Sequence, residues 1–147
     1  MHNQSLIKHA HNLYPICRSI TGDGIKKTLS YFERINKDFQ REKFPSGSKV
    51  FDWVIPQVWN ISEAYIEHLD SGMKYANLKD CNLHIVGYSK PVELEMDLNE
   101  LKEKIFTRPD KPNWIPYVTS YYKKDWGFCM SQKQKDELPK GKYKIKR

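Results

Sequence analysis

Lys142-Tyr143-Lys144-Ile145-Lys146, near the C-terminus, alternates polar and apolar side chains with a period of two. That spacing is the signature of a strand with one face buried. The sequence ends one residue later, at Arg147, with the pattern still extended. Two readings follow: a C-terminal edge strand, or a chain cut short. Immediately before it, Pro139-Lys140-Gly141 reads as a turn. Ser131 to Leu138 reads as a short helix with Ser131 as N-cap.

Further upstream, Asp97-Leu98-Asn99-Glu100-Leu101 predicts a second helix start. Asp97 takes the N-cap position and Glu100 stands three residues on, as in a capping box, with the helix running to about Phe106. Between the two helices, Pro109, Pro112 and Pro116 punctuate an irregular stretch, and Tyr117 to Tyr122 reads as a strand. Strands are also expected over Gln40–Phe44, Val50–Ile55, Trp59–Leu69 and Leu83–Tyr88, with a turn at Asp70-Ser71-Gly72.

The N-terminal end follows a helical period instead. Leu6, Ile7, Ala10, Leu13 and Tyr14 share one face, and Pro15 ends the helix. Ser19 to Gly24 is turn-rich, with Thr21 or Asp23 as cap. A second helix spans about Ile25 to Asn36, with Ile25, Leu29, Phe32 and Ile35 as its apolar stripe. The pattern predicts a mixed α/β (α+β) fold in two parts. Residues 1–60 hold the helices and first strands. Residues 61–147 form a strand-rich segment that is incomplete at its C-terminus.

Composition bounds the function. The chain has 147 residues, 39% hydrophobic, 29% charged and 13% aromatic, with mean hydropathy −0.76. The aromatic content argues against wholesale disorder. No apolar run approaches a membrane span, and residues 1–5 lack a secretory signal, so a cytoplasmic location is expected. Net charge is +7, and nine Lys/Arg against three Asp/Glu lie between Lys123 and Arg147. Charge gathered at one end reads as a solvated basic end rather than a nucleic-acid surface, which spreads over a face. Cys17, Cys81 and Cys129 form no CxxC pair and read as reduced thiols.

No complete catalytic plan is visible. HExxH, GxSxG, GxxxxGK[ST] and GxGxxG are absent. His9 and His11 diverge on a helix, and the other histidines (His2, His68, His84) stand far apart in sequence. Asp52 and Asp125, each beside an aromatic residue, read as buried hydrogen-bond acceptors. Aromatics gather at Trp114-Ile115-Pro116-Tyr117, at Tyr121-Tyr122 and at Trp126-Gly127-Phe128. They read as a core packed around an irregular loop, with a surface that stacks on sugars or bases as the alternative.

Several motifs together carry a resemblance. They are Leu13-Tyr14-Pro15-Ile16-Cys17-Arg18-Ser19-Ile20-Thr21-Gly22-Asp23-Gly24, Pro45-Ser46-Gly47 with Val50-Phe51-Asp52-Trp53, and Pro56 with Trp59-Asn60-Ile61. Asn82-Leu83-His84 with Tyr88-Ser89-Lys90-Pro91, Ile115-Pro116-Tyr117 with Ser120-Tyr121-Tyr122, and Trp126-Gly127-Phe128-Cys129 complete the set. In this order they resemble the N-terminal portion of bacterial aminopeptidase-like proteins of the domain-of-unknown-function class. Those proteins look like M28-type zinc aminopeptidases and are found with polysaccharide biosynthesis.

The resemblance implies a longer protein, with an aminopeptidase-like α/β domain whose helices and first strands are residues 1–60, a β-rich inserted domain that residues 61–147 would begin, and a winged-helix domain. It implies zinc for full-length members, with ligands downstream of the matched region. No catalytic residue and no metal ligand therefore transfers to this chain, and no cofactor is expected for it alone. Trp53, Trp59, Tyr121, Tyr122 and Trp126 are expected as walls or supports of a cleft. The implied partner is the missing C-terminal part of the same protein, with self-association through open strand edges as another. A peptide or glycan-linked substrate stays open, and neither nucleic acid nor membrane is expected. A different class of function is a stand-alone module that binds a glycan or anionic polymer through its aromatics and basic end. A truncated gene remnant is a third reading.

Overall fold

The computed structural model describes residues 2–147, with side chains from residue 6 onward, so the side chain of His2 lies outside the described residues. Chain packing divides it into two compact units, one up to Asn60 and one spanning Ile61–Arg147. The fold mixes helices and strands, as the periodicities predict.

In the first unit, α1 (His2–Leu13) and α2 (Asp23–Ile35) form where the 3.6-residue period places them. They are bridged by a hydrogen bond of 2.6 Å between His9 Nδ1 and the Tyr31 hydroxyl, to which Asn12 Nδ2 also donates. The expected cap of α2 is corrected. Neither Thr21 nor Asp23 caps it; Gly22 holds the N-cap position and has no side chain to offer. Asn60 substitutes from a distance, its Oδ1 accepting from the Asp23 N–H at 2.7 Å. The apolar stripe is also less buried than expected. Phe32 and Ile35 are exposed, and Thr28 is the buried side chain of α2.

Two expected strands of this unit change form. Val50–Ile55 is not one strand but a hairpin, β1 (Lys49–Val50) against β2 (Trp53–Val54), turning at Phe51-Asp52. Phe51 sits at φ 54°, the left-handed conformation that a two-residue hairpin loop demands. Folding back lets the run satisfy its own ladder, with Gly47 N–H donating to Ile55 O and Ile55 N–H to Ser48 O. Gln40–Phe44 forms no strand, since no neighbouring strand meets its backbone; Arg41 ties it to α2 through Ser30 and Glu33.

The second unit is built on a four-stranded antiparallel sheet. Its strands are β3 (Tyr65–His68), β4 (Lys74–Tyr75), β5 (Glu93–Asp97) and β8 (Lys142–Lys146), in the order β4-β3-β8-β5. The expected C-terminal edge strand is therefore corrected: β8 is interior, paired on both sides. Its Tyr143 and Ile145 are fully buried beside Ile66. The opposite face carries Lys142, Lys144 and Lys146. The basic end is thus not a freely solvated one. Lys144 pairs with Glu93 at 3.3 Å and Lys146 with Glu63 at 3.5 Å.

Around the sheet lie α3 (Leu98–Glu103), a parallel pair β6 (Ile105–Phe106) and β7 (Phe128–Cys129), and α4 (Gln132–Asp136). The expected capping box of Asp97 with Glu100 forms, and Ser131, the expected N-cap, forms a second one with Gln134. The first helix stops at Glu103, short of Phe106. Three more expectations are corrected. Leu83–Tyr88 is a 3-10 turn (Asn82–His84) followed by isolated bridges, Ile85 to Phe128 and Gly87 to Thr119. Ile85 and Val86 are buried all the same, so their apolar character reflects the core rather than a sheet. Tyr117–Tyr122 is irregular apart from the bridge at Thr119, and of Trp59–Leu69 only Tyr65–His68 is strand.

Candidate functional site

The first unit contains an apolar cleft of about 650 Å³. Helix α2 and the loop before it contribute Ile20, Ile25 and Leu29; the segment 41–58 contributes Phe44, Trp53 and Val58. The cleft exists because the Thr21–Gly24 turn is clamped against residues 57–60. Thr21 Oγ1 accepts from the Trp59 N–H at 3.1 Å and donates to the Gln57 carbonyl at 3.3 Å. Gly22 sits at φ 90°, and a Cβ there would stand 2.1 Å from the Trp59 carbonyl oxygen. Only glycine permits that approach. Arg41 and Lys43 also line the cleft. Arg41 Nη2 donates to Ser30 Oγ and Glu33 Oε2, both at 2.7 Å, while its buried Nε has no partner among the described residues.

Of the five residues expected to line or support a cleft, Trp53 lies in this one. Trp59 belongs to the same unit and is half-buried, acting through its backbone N–H on Thr21. The other three lie in the second unit and do not form a common wall. Tyr121 packs edge-on against Tyr88, with ring centroids 4.8 Å apart. Tyr122 is exposed. Trp126 is buried edge-on to Phe128, under the Lys104 ammonium. The aromatic cluster thus divides: Trp126 and Phe128 are core, whereas Trp114, Tyr117 and Tyr122 face solvent.

The titratable groups serve structure. Asp125 is half-exposed rather than buried; it accepts from Lys104 Nζ at 3.0 Å and from the Trp126 N–H, which hold its carboxyl below the usual range. Asp52 is exposed. Burial pushes the Cys129 thiol up to about 12, so it stays protonated and poorly nucleophilic. Burial also pushes the Tyr143 hydroxyl, which donates to the Pro139 carbonyl, up to about 12. His84 Nδ1 donates to the Cys129 carbonyl at 2.8 Å. His68 is held between Ser71 Oγ and the Lys140 carbonyl.

A catalytic zinc takes three protein ligands and keeps one position open. Among the described residues no group of three or more His, Cys, Asp or Glu side chains could hold a metal ion. The residues here do not fit a zinc centre, so no chemical step through zinc is assigned to them. No helix among the described residues is long and apolar enough to cross a membrane.

Three comparisons place this geometry among known proteins. Residues 58–146 match a family described as a domain of unknown function, DUF2172. A curated protein of Clostridium acetobutylicum, named "Putative polysaccharide biosynthesis protein with aminopeptidase-like domain", is 44% identical over 133 residues. The match takes in 90% of this chain and 30% of that protein. A crystal structure titled "putative peptidase", also from Clostridium acetobutylicum, superposes with a TM-score of 0.90 at 41% identity. It covers 97% of this chain and 33% of that one. The chain therefore spans about a third of the length of the relatives it matches.

Proposed function

The chain belongs to the DUF2172 family, a domain of unknown function, and we propose that it serves as the N-terminal segment of a longer aminopeptidase-like hydrolase. The observation that carries this reading is its likeness, along nearly its whole length, to one third of a longer peptidase-like chain. In the finer form of the proposal the longer protein is a zinc enzyme of the M28 type, acting on a peptide or a glycan-linked substrate in the cytoplasm. This segment supplies none of the ligands and is inactive alone.

The open cleft around Trp53 supports the same reading. An apolar cleft of that size, with Ile20, Phe44 and Val58 at its margin, suits packing by the remaining two thirds of such a polypeptide. Its partner is then covalent, and Trp53 is a docking residue rather than a substrate contact.

The test is zinc content and hydrolysis of aminoacyl p-nitroanilides, measured on the 147-residue chain after dialysis against zinc. The proposal predicts substoichiometric zinc and no turnover above buffer. Stoichiometric zinc with turnover contradicts it. A second reading, a glycan-stacking module, is favoured by one observation: Trp114 is exposed, with the Lys111 ammonium 3.9 Å from its ring centroid. Quenching of tryptophan fluorescence by oligosaccharides, lost in Trp114→Ala, would support that module in place of the hydrolase segment.

A further inference from the structure

The solvent face of the four-stranded sheet carries an ordered row of charge. Lys74 on β4 is opposite Glu67 on β3; Glu67 is opposite Lys144 on β8; Lys144 is opposite Glu95 on β5. The sign alternates across all four strands and stops at an acid. The neighbouring row on β8 and β5 behaves alike, with Lys146 opposite Glu93.

Strand β5 is also an open edge. Val92 and Arg147 exchange both backbone hydrogen bonds, at 2.8 and 2.9 Å, and Leu98 N–H donates to Gly141 O at 3.3 Å. In an antiparallel ladder such bonded pairs alternate with unbonded ones. Leu94 and Met96 therefore turn their backbone groups toward β8, and Glu93 and Glu95 turn theirs outward. On the other face Leu94 and Met96 are only half-buried, as side chains at an uncovered margin are.

We propose that β5 accepts a fifth strand: an extended segment of a partner protein with Lys or Arg at alternate positions and apolar residues between. Its backbone bonds the outward N–H and C=O groups of Glu93 and Glu95. Its cations continue the alternation against the two carboxylates, and its apolar side chains cover Leu94 and Met96. A second copy of this chain fits badly. Antiparallel self-pairing centred on Glu95 would set Glu95 against Glu95 and Glu93 against Asp97, and like charges directly opposite are destabilising. The acids at this edge thus repel a copy of the same strand while attracting a basic one.

The experiment is hydrogen exchange of the intact 147-residue chain, followed residue by residue by NMR. The probes are a capped Lys-Val-Lys-Val-Lys peptide and a capped Glu-Val-Glu-Val-Glu control. The proposal predicts slowed exchange at Glu93 and Glu95 with the basic peptide only, weakened by salt. Glu95→Lys, whose carboxylate is exposed and whose fold is checked by thermal melting, should weaken the basic peptide by about fivefold. Glu95→Gln should lie between the two. Equal binding of both peptides, or no protection at Glu93 and Glu95, overturns the proposal. Protection that rises with protein concentration in the absence of peptide overturns it in favour of a second copy.

Discussion

The two units invest their apolar residues differently. In Ile61–Arg147, Ile66, Leu101, Phe128, Tyr143 and Ile145 are almost wholly removed from water. In the unit ending at Asn60, Pro56 is the one buried apolar residue among those described, while Leu6, Ile7, Tyr14, Phe44, Phe51 and Val58 stand exposed. Hydrophobic burial is the dominant favourable term in folding, so the second unit has its own driving force. The first is held by polar fastenings: His9 to Tyr31, Thr21 to Trp59 and Asn60 to Asp23.

The largest expected effect that sharpens this contrast is Phe128→Ala. Phe128 is fully buried, and its loss should cost about 3–5 kcal/mol in denaturant unfolding. Phe44→Ala, in the exposed set, should cost less than about 0.5 kcal/mol. Comparable costs at the two positions would break the contrast.

Next comes Gly22→Ala. The added methyl meets the Trp59 carbonyl, and the residue must hold φ 90°. A loss of about 1–3 kcal/mol is expected from a strained backbone of this kind. Exchange of the α2 amides should rise while the β3 and β8 amides stay protected. A smaller effect, of opposite sign, is expected at the hairpin. Phe51→Gly relieves a left-handed residue that buries nothing, being 92% exposed, and should stabilise the β1–β2 hairpin by up to about 1 kcal/mol. The NMR shifts of Lys49 and Trp53 should move toward stronger pairing.

The smallest effect concerns pH. The folded carboxyl of Asp125 titrates below its ordinary value of 3.8, because Lys104 and the Trp126 N–H favour its charged form. Its contribution is therefore present above the unfolded value and is lost as pH falls through the lower, folded one. Asp125→Asn should therefore lower stability slightly at neutral pH and flatten the profile below about pH 4, where the two proteins converge. The group is half-exposed, so solvent screens the pair and keeps the effect small.

Local signals in the sequence carry much of this fold. The helical periods place α1 and α2, the spacing Asp97 to Glu100 gives a capping box, Ser131 stands out as an N-cap, and alternation marks Lys142–Lys146 as strand. What alternation omits is position within the sheet. β8 is interior because it meets Tyr65–His68 and Glu93–Asp97, segments far away along the chain. Glu93–Asp97 carries a strand whose outward acids make sense only against the lysines of β8. Apolar runs that fold back or stay irregular, at Val50–Ile55 and Leu83–Tyr88, look like strands because burial and strand formation favour the same residues. At the cleft, Trp53 is one of the lining residues. The clamp between Thr21 and Trp59 is not legible in the sequence, since no local spacing relates residues 38 apart. Trp126 is buried, as the core reading of its aromatic cluster expects.

Hydrogen exchange over the whole chain tests the central contrast most directly. Slow exchange throughout β3, β8 and Phe128–Met130, with exchange at least about tenfold faster throughout α1 and α2, is the result this account predicts. Equal protection in both regions, lost together in one cooperative transition, would contradict it.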